Sequence, residues 1–250
     1  MNKIYKDPKR KVGSQSETPT IKYKDDKIIV GGYQLFTIDR KTKNIQYGFK
    51  KDKFSYINEL MKLLNTEYNC TSIVDIGCNS GLTSFIAYNN NFENIFSLDH
   101  DPEYIDTLKT IKNDCNITKI NEFVYSFGDT LIGGISSPKF DVVFCGAIIH
   151  WIFSLTADFR NFDSIMSYLI SMTNKILVIE WIDPRDGAIS NLHHITKRKL
   201  DDDEPYNTEN FEIAIKKFST IISKKNSDGP HRIIYTLSIL NKKTTPPDSD

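Results

Sequence analysis

The sequence contains no apolar run long enough to cross a membrane. The longest such runs, Phe144–Phe153 and Ile176–Ile182, end well short of the roughly 20 residues that a spanning helix needs. The basic start MNKIYKDPKRK leads into no apolar segment of the kind found in a secretory signal. We therefore expect an intracellular, cytoplasmic protein without membrane contact.

Cysteine is also scarce. The 250 residues contain four cysteines, which lie far apart and show neither a CxxC pair nor the spacing of a metal site. A chain of this length can bury a full hydrophobic core and does not need disulfides for stability. We predict reduced core thiols and no metal site; the cysteines are Cys70, Cys78, Cys115 and Cys145.

A net charge is missing too, but the charges are unevenly distributed. Residues 1–53 contain 14 Lys or Arg against 6 Asp or Glu, and residues 54–250 carry the matching negative surplus. A basic segment of this kind can bind RNA or another anionic partner, or it can be a solvated, partly disordered leader. Both interpretations stay open at this point.

Composition divides the chain into four parts. Residues 1–26 are polar and contain two prolines, which predicts a flexible basic arm. Residues 27–54 form a short extension with a possible hairpin, because KIIVGGYQLFTI reads as two strands about a Gly-Gly turn. Residues 55–242 are predicted to form the main domain, and residues 243–250 a frayed tail.

Within the main domain, short apolar segments alternate with segments of helical periodicity. The predicted strands are TSIVDIG, NIFSLD, INEFVYSF, FDVVFCGAII and KILVIEWI. This alternation is typical of parallel strands buried on both faces. After the helix TENFEIAIKKFSTI, capped by Thr208, the segments FSTIIS and HRIIYTLSIL predict a hairpin. The predicted fold class is α/β, a doubly wound, mostly parallel seven-stranded sheet with a C-terminal antiparallel hairpin.

The segment VDIGCNSGLTS, Val74–Ser84, places a glycine-rich turn between the first strand of this domain and a helix. Such a turn exposes backbone N–H groups to a ligand, and its glycines let the ligand approach closely. The spacing is D-x-G-x-x-x-G, however, and a carboxylate at Asp75 would repel a pyrophosphate. A cofactor that is cationic at its near end fits better, and S-adenosylmethionine has an ammonium, a sulfonium and no phosphate.

Acidic residues end the next two strands as well. Asp99 follows Gly77 by 22 residues, where a carboxylate can accept from both ribose hydroxyls. Asp129 ends the segment SFGD and is placed to accept from an adenine amino group. Each signal is modest alone, but their order at successive strand ends strengthens the prediction of this cofactor.

These segments resemble the class I S-adenosylmethionine-dependent methyltransferases, which have a Rossmann-like fold. VDIGCNSG is similar to that family's first motif, LDHDPE to its acidic ribose loop, SFGD to its adenine loop and FDVVFCGAI to its fourth strand. The resemblance covers about residues 55–240 and includes the terminal hairpin. It implies a site for S-adenosyl-L-methionine formed by Asp75, Gly77, Cys78, Asn79, Gly81, Asp99, His100, Asp129, Cys145 and Gly146.

The family pattern also implies individual roles. Asp99 would bind the ribose, with His100 beside the adenine, and Asp129 would bind the adenine N6 atom. The backbone around Cys145 and Gly146 would accept from the ammonium group.

Two further segments resemble a methyltransferase subgroup, with an IHW segment after the fourth strand and an E-W-I-D-P-x-D segment after the fifth. The acceptor lies near such segments in an open α/β sheet. The catalytic candidates are His150, Glu180 and Asp183. His150 is the best general-base candidate because an imidazole has a pKa near 6.5, although a structural histidine would look the same.

Each of the other candidates has a structural alternative. Glu180 lies in an apolar strand and needs a partner, so it either faces the acceptor or pairs with Arg185 or a lysine. Asp183 stands in a turn-prone DPRD segment and can serve as a cap. We predict that three further residues contact the acceptor: Trp151, Trp181 and His193. The alternative for the two tryptophans is that their rings belong to the hydrophobic core.

The leading hypothesis is a methyltransferase that transfers a methyl group to an O or N atom of an unidentified acceptor. The chain lacks the N/D-P-P-Y/F segment of nucleic-acid amino-group methylases, and no aspartate near Cys145 could complete a Lys-Asp-Lys-Glu tetrad. An RNA-directed methyltransferase that grips phosphates through residues 1–53 is one alternative. A methyltransferase-like protein that binds the cofactor without turnover is the other.

Overall fold

The first strands pair into a small antiparallel sheet. The computed structural model describes residues 18–129, 131–156, 158–190 and 205–239. Four strands form the N-terminal sheet in chain order: β1 (Thr20–Lys24), β2 (Lys27–Gly31), β3 (Phe36–Asp39) and β4 (Ile45–Tyr47). Strands β2 and β3 are the hairpin predicted from KIIVGGYQLFTI.

The alternation of strands and helices begins after this sheet. Helix α1 (Lys51–Thr66) leads into β5 (Ser72–Ile76), α2 (Leu82–Asn89), β6 (Asn94–Asp99), α3 (Pro102–Asp114) and β7 (Ile120–Val124). A short hairpin follows, formed by β8 (Leu131–Ile132) and β9 (Ile135–Ser136). The remaining elements are β10 (Phe140–Cys145), α4 (Ile149–Leu155), α5 (Phe162–Ser171), β11 (Thr173–Ile182), α6 (Gly187–Ser190), α7 (Thr208–Phe218), β12 (Ser219–Asn226) and β13 (Arg232–Ile239).

Seven of these strands form the main sheet, in the order β12-β13-β11-β10-β5-β6-β7. The pairs from β11 to β7 are parallel, whereas β13 is antiparallel to both β11 and β12. This arrangement confirms the predicted fold class, including the C-terminal hairpin. The strand order changes direction between β5 and β10, which is where ligands bind in open α/β sheets.

Apolar side chains cover both faces of the main sheet. On one face, residues of the N-terminal sheet, α1, α2 and α3 form a single core. On the other face, residues of α4, α5 and α7 form a second core. The N-terminal sheet therefore packs on the α1 side of the main sheet, and Phe36 of β3 contacts Phe85 of α2 with a ring-centre distance of 6.1 Å.

The structure corrects three predicted boundaries. Strand β1 lies within the segment predicted as a flexible arm, so that prediction was wrong for Thr20–Lys24; residues 1–17 lie outside the described residues. Helix α1 starts at Lys51, four residues before the predicted main domain. The cap of α7 is Asn207, whose side chain accepts from the N–H of Asn210, and not Thr208. The predicted tail, residues 243–250, is not described either.

The four cysteines are buried and free, as predicted. Burial raises the pKa of the Cys70 thiol to about 11, and it also raises the pKa of Cys145. Neither thiol is therefore ionised near neutral pH. Across the part of the chain that the structure describes, none of the helices has both the length and the apolar composition needed to cross a bilayer.

Candidate functional site

The predicted cofactor residues converge where β5 lies between β6 and β10. Asp75 pairs with Phe144 on one side and with Ser97 on the other, so the carboxyl ends of these three strands lie level with each other. Asp99 is the last residue of β6, and Cys145 is the last residue of β10. The glycine-rich segment after β5 therefore runs between the ends of its two neighbours.

This glycine-rich loop, residues 77–81, has an unusual backbone. Gly77, Asn79 and Gly81 have φ angles of 75°, 54° and 87°. The left-handed region suits glycine and is tolerated by asparagine, whose short polar side chain can bond locally. The Asn79 Oδ1 atom does so by accepting from the N–H of Ser80 at 2.9 Å.

The two glycines pack against protein side chains. We expected them to leave room for a ligand, but a Cβ atom at Gly77 would lie 2.6 Å from Cγ2 of Ile148. A Cβ atom at Gly81 would lie 2.4 Å from Cδ1 of Leu108 in α3. Both positions require glycine because protein side chains pack closely against the loop backbone.

Asp99 connects this loop to the one after β6. Its Oδ2 atom accepts from the N–H of Asn79 at 2.9 Å, and its Oδ1 atom accepts from the N–H of Asp101 at 3.0 Å. The Nδ1 atom of His100 lies 3.3 Å from Oδ1, and this hydrogen bond raises the pKa of His100. A carboxylate has about four acceptor positions, so Asp99 retains capacity for a ligand hydroxyl.

Asp75 lies beneath the loop and is bonded to α2. The Ser84 hydroxyl donates to its Oδ2 atom at 2.8 Å, and the Ser97 hydroxyl donates to Ser84 at 2.7 Å. Burial, with a smaller contribution from the charge of Asp99, raises the pKa of Asp75 to about 7, although the Ser84 bond opposes the shift. Asp75 is therefore partly protonated near neutral pH, which reduces its ability to pair with a cation.

Asp129 lies at the end of the turn that follows β7. Its side chain is exposed, and its Oδ2 atom accepts from the N–H of Ser126 at 3.1 Å. The Tyr168 hydroxyl donates to the Asp129 carbonyl at 2.8 Å. The carboxylate thus caps its own turn and remains accessible to solvent.

The end of β10 offers backbone groups to the site. The Cys145 side chain is fully buried in the core, so any contact of this residue with a ligand would use its main chain. Gly146 is the first residue after β10, and Ala147 has a left-handed φ of 56°. This segment brings Ile148 against Gly77.

Two residues that the sequence prediction omitted also belong to this region. The Oγ atom of Ser80 is buried in the loop and has no hydrogen-bond partner among the described residues. Gln34, which precedes β3, contacts the loop backbone from the N-terminal sheet. Ser80 stands inside the quoted motif and could have been included, but no sequence pattern connects Gln34 to a loop 44 residues away.

Helix α4 carries two of the predicted acceptor-site residues. His150 is the second residue of this helix and is buried, with 4% of its surface exposed. Its ring centre lies 5.1 Å from that of Trp151, which is half-buried. Because α4 follows β10 directly, both rings lie on the segment beside the switch point of the sheet.

Glu180 is held in a buried ion pair, so the structure does not support it as a catalytic base. Its Oε2 atom accepts from the Lys53 ammonium at 2.5 Å, and its Oε1 atom accepts from the Ser227 hydroxyl at 2.7 Å. Only 1% of the Glu180 surface is exposed. An unpartnered carboxylate would be too costly at such a position, and Lys53 of α1 supplies the missing charge.

Asp183 has a structural role as well. Both of its oxygens accept from the Arg185 guanidinium, and the Thr208 hydroxyl donates to Oδ2 at 2.8 Å. The Arg185 bonds hold the pKa of Asp183 well below its ordinary value. The carboxylate therefore fixes the turn after β11 to the start of α7, and it is a poor proton acceptor.

The prediction that Trp181 contacts the acceptor is wrong. Its ring is fully buried and stacks between Tyr206 at 4.6 Å and Phe211 at 4.3 Å, while its indole N–H donates to Thr208. Adjacent residues of a strand point to opposite faces, so Trp181 lies on the α7 side when Glu180 lies on the α1 side. The remaining predicted acceptor residue, His193, lies outside the described residues.

Comparison with known structures identifies the fold. The structure is similar to that of magnesium protoporphyrin IX methyltransferase from Synechocystis PCC 6803 with bound SAH, with a TM-score of 0.55, 12% identity, and coverage of 78% of this chain and 89% of that one. It is also similar to the N-methyltransferase NodS from Bradyrhizobium japonicum WM9, with a TM-score of 0.55, 11% identity, and coverage of 76% and 96%.

A third similar structure is an O-methyltransferase family protein from Burkholderia thailandensis, with a TM-score of 0.52, 11% identity, and coverage of 76% of this chain and 58% of that one. No family model matches the sequence, and the search of curated proteins found no match. At these identities the similarity concerns the fold, which is the fold of these methyltransferases.

Proposed function

We propose that the protein is a methyltransferase that uses S-adenosyl-L-methionine and methylates an O or N atom of its acceptor. The observation that carries the proposal is Asp99, whose carboxylate ends β6 and accepts from the N–H of Asn79 in the glycine-rich loop. A carboxylate at this place selects ribose hydroxyls and disfavours a phosphate. The fold shared with the methyltransferases described above supports the same assignment.

The residues around the loop fit this cofactor. Asn79, Asp101 and His100 occupy three of about four acceptor positions of Asp99, so its remaining position would accept from a ribose hydroxyl. The buried Ser80 hydroxyl lacks a partner among the described residues and would bond to a polar group of the cofactor. The exposed Asp129 carboxylate would accept from the adenine amino group, and the main chain at Gly146 would accept from the ammonium. When bound, S-adenosylmethionine supplies a methyl group activated by its sulfonium.

His150 is the residue that we propose as the proton acceptor. Glu180 and Asp183 already accept from a lysine, an arginine and two hydroxyl groups, so both carboxylates serve structural contacts. His150 lies on the segment after β10, and an imidazole has a suitable pKa for general-base catalysis. His150 is needed as a base only if the methyl acceptor transfers its proton to the protein and not to solvent.

A second candidate function is cofactor binding without turnover. Two of the three predicted catalytic residues, Glu180 and Asp183, are held in structural ion pairs, which favours this candidate. The two functions differ in one measurable product. Acceptor-dependent formation of S-adenosylhomocysteine from S-adenosylmethionine supports the enzyme, and cofactor binding that never yields this product supports the second candidate.

The direct test is calorimetric titration with S-adenosylhomocysteine. We expect the wild-type protein to bind, and Asp99→Ala to bind at least about tenfold more weakly, because a hydrogen bond to a charged group contributes about 1.5 to 3 kcal/mol. Asp106→Ala is the matched control, since Asp106 is an exposed aspartate of α3. Equal affinity of a folded Asp99→Ala variant, or no binding by the wild type, contradicts the proposal.

A further inference from the structure

The first turn of α2 lacks a cap from its own sequence. The first N–H groups of a helix have no partner within the helix and are commonly satisfied by the side chain of the residue that precedes it. In α2 that residue is Gly81, which has no side chain. The loop that leads into the helix also has three left-handed residues, so its conformation depends on contacts from outside.

Gln34 supplies these contacts from another part of the chain. Its Oε1 atom accepts from the N–H of Leu82, the first residue of α2, at 3.1 Å. Its Nε2 atom donates to the carbonyl of Cys78 at 3.2 Å. One carboxamide group therefore bonds the second residue of the glycine-rich loop and the first residue of α2, which requires a side chain that both donates and accepts.

The N-terminal sheet holds Gln34 in place. The residue after it, Leu35, accepts from the N–H of Gly48 with its carbonyl at 2.9 Å. The next residue, Phe36, is buried against Phe85 on the second turn of α2. The far end of α2 is held as well, because the Asn89 side chain donates to the Lys43 carbonyl, in the turn between β3 and β4, at 3.0 Å.

We propose that Gln34 is a positioning residue for the cofactor, and that the N-terminal sheet is part of the cofactor site through it. This inference rests on the proposed function. Gln34 acts through the loop backbone: it holds Cys78 and Leu82 at the spacing that lets Asn79 reach Asp99. If the loop adopts this conformation only part of the time, the apparent affinity for the cofactor falls by that fraction.

The experiment compares Gln34→Met with Gln46→Met. Methionine has nearly the same shape as glutamine but forms neither hydrogen bond, and Gln46 is an exposed glutamine in β4 of the same sheet. We expect Gln34→Met to bind S-adenosylhomocysteine about tenfold more weakly than the wild type, and Gln46→Met to bind within twofold. Amide exchange of Leu82, followed by NMR without ligand, is expected to accelerate only in Gln34→Met.

The outcomes separate the two proposals. A wild-type protein that does not bind S-adenosylhomocysteine contradicts the proposed function. Wild-type affinity in folded Gln34→Met contradicts the role of Gln34 and leaves the proposed function intact. A residue that only stabilises the fold would lower the melting temperature without changing the affinity of the folded protein. If Gln34→Met does not fold, Gln34→Glu decides the question: it keeps the acceptor for Leu82 and loses the donor to Cys78, so unchanged affinity overturns the inference.

Discussion

At the scale of single residues, the three aspartates predicted to end successive strands occupy different positions. Asp75 and Asp99 lie at the ends of β5 and β6, but Asp129 follows the last residue of β7 by five residues, so the prediction that it ends a strand was wrong. Asp75 is buried and bonded to Ser84, Asp99 joins two loops through backbone N–H groups, and Asp129 is exposed and caps its own turn. Their positions in the sequence predicted contacts with three parts of one ligand: its cationic end, its ribose and its adenine. The geometry instead makes Asp99 the principal ligand-binding candidate and Asp75 a buried group whose ionisation affects stability.

The raised pKa of Asp75 predicts a pH dependence of folding. The folded carboxyl keeps its proton up to about pH 7, whereas the unfolded one ionises near pH 4. The folded state therefore binds more protons between these values, and the free energy of unfolding falls as the pH rises through this window. In Asp75→Asn this decrease is expected to be smaller by up to about 4 kcal/mol.

Urea unfolding of both proteins at intervals between pH 4 and pH 8 measures this difference. Asp106→Asn serves as the control, because Asp106 is exposed and its replacement should not change the slope. Parallel curves for the wild type and Asp75→Asn would show that Asp75 ionises in the folded protein at its ordinary pKa.

The buried pair between Lys53 and Glu180 predicts a stability effect. Glu180→Gln leaves the Lys53 ammonium buried without a counter-charge, so we expect a loss of about 3 to 5 kcal/mol in the free energy of unfolding. Replacing both residues by apolar ones, Lys53→Met with Glu180→Leu, is expected to recover most of this loss.

The exposed pair of Lys119 and Glu93 provides the comparison. Its Nζ and Oε2 atoms lie 2.8 Å apart, but both side chains are at least 39% exposed, so Glu93→Gln should cost less than about 1 kcal/mol. Denaturant unfolding of the wild type and the three variants measures these values. A Glu180→Gln protein as stable as Glu93→Gln would contradict the structural role assigned to Glu180.

At the scale of helices and strands, the main sheet was predictable because its strands are continuous apolar runs between amphipathic helices. The N-terminal sheet was only partly predictable. Strand β1 keeps most of its side chains exposed and so lacks an apolar alternation, and β4 has only three residues. The hairpin of β8 and β9 has two residues in each strand, which is too short for any periodicity.

The contacts that determine the roles of Glu180 and Gln34 were harder to predict, because they join distant positions of the chain. Lys53 and Glu180 lie 127 residues apart, and Gln34 and Leu82 lie 48 residues apart. Strand β11 is apolar on both faces, so its sequence did not show that Trp181 faces the core of α7. By contrast, the order of the motifs along the chain predicted that the glycine-rich loop and Asp99 lie side by side, because neighbouring parallel strands end at the same edge of a sheet.

At the scale of the whole molecule, the uneven charge distribution has a partial explanation within the fold. Lys50 pairs with Asp228 at 2.7 Å, and Lys53 pairs with Glu180 at 2.5 Å, so basic residues of the N-terminal segment meet acidic residues of the main domain. In addition, the Tyr23 hydroxyl of β1 donates a hydrogen bond to the Asp114 carboxylate of α3. The two lysines fix the start of α1 to the C-terminal part of the main sheet, and Tyr23 fixes β1 to α3. RNA binding by residues 1–53 stays a prediction.

The central claim is that the carboxyl edge of the main sheet, between β6 and β10, binds S-adenosylmethionine. A crystal structure of the protein with S-adenosylhomocysteine tests it most directly. We expect a ribose hydroxyl to lie about 2.5 to 3.0 Å from the Asp99 carboxylate, with the ligand crossing the loop of residues 77–81. A ligand bound elsewhere, or a ribose that does not contact Asp99, would contradict this claim.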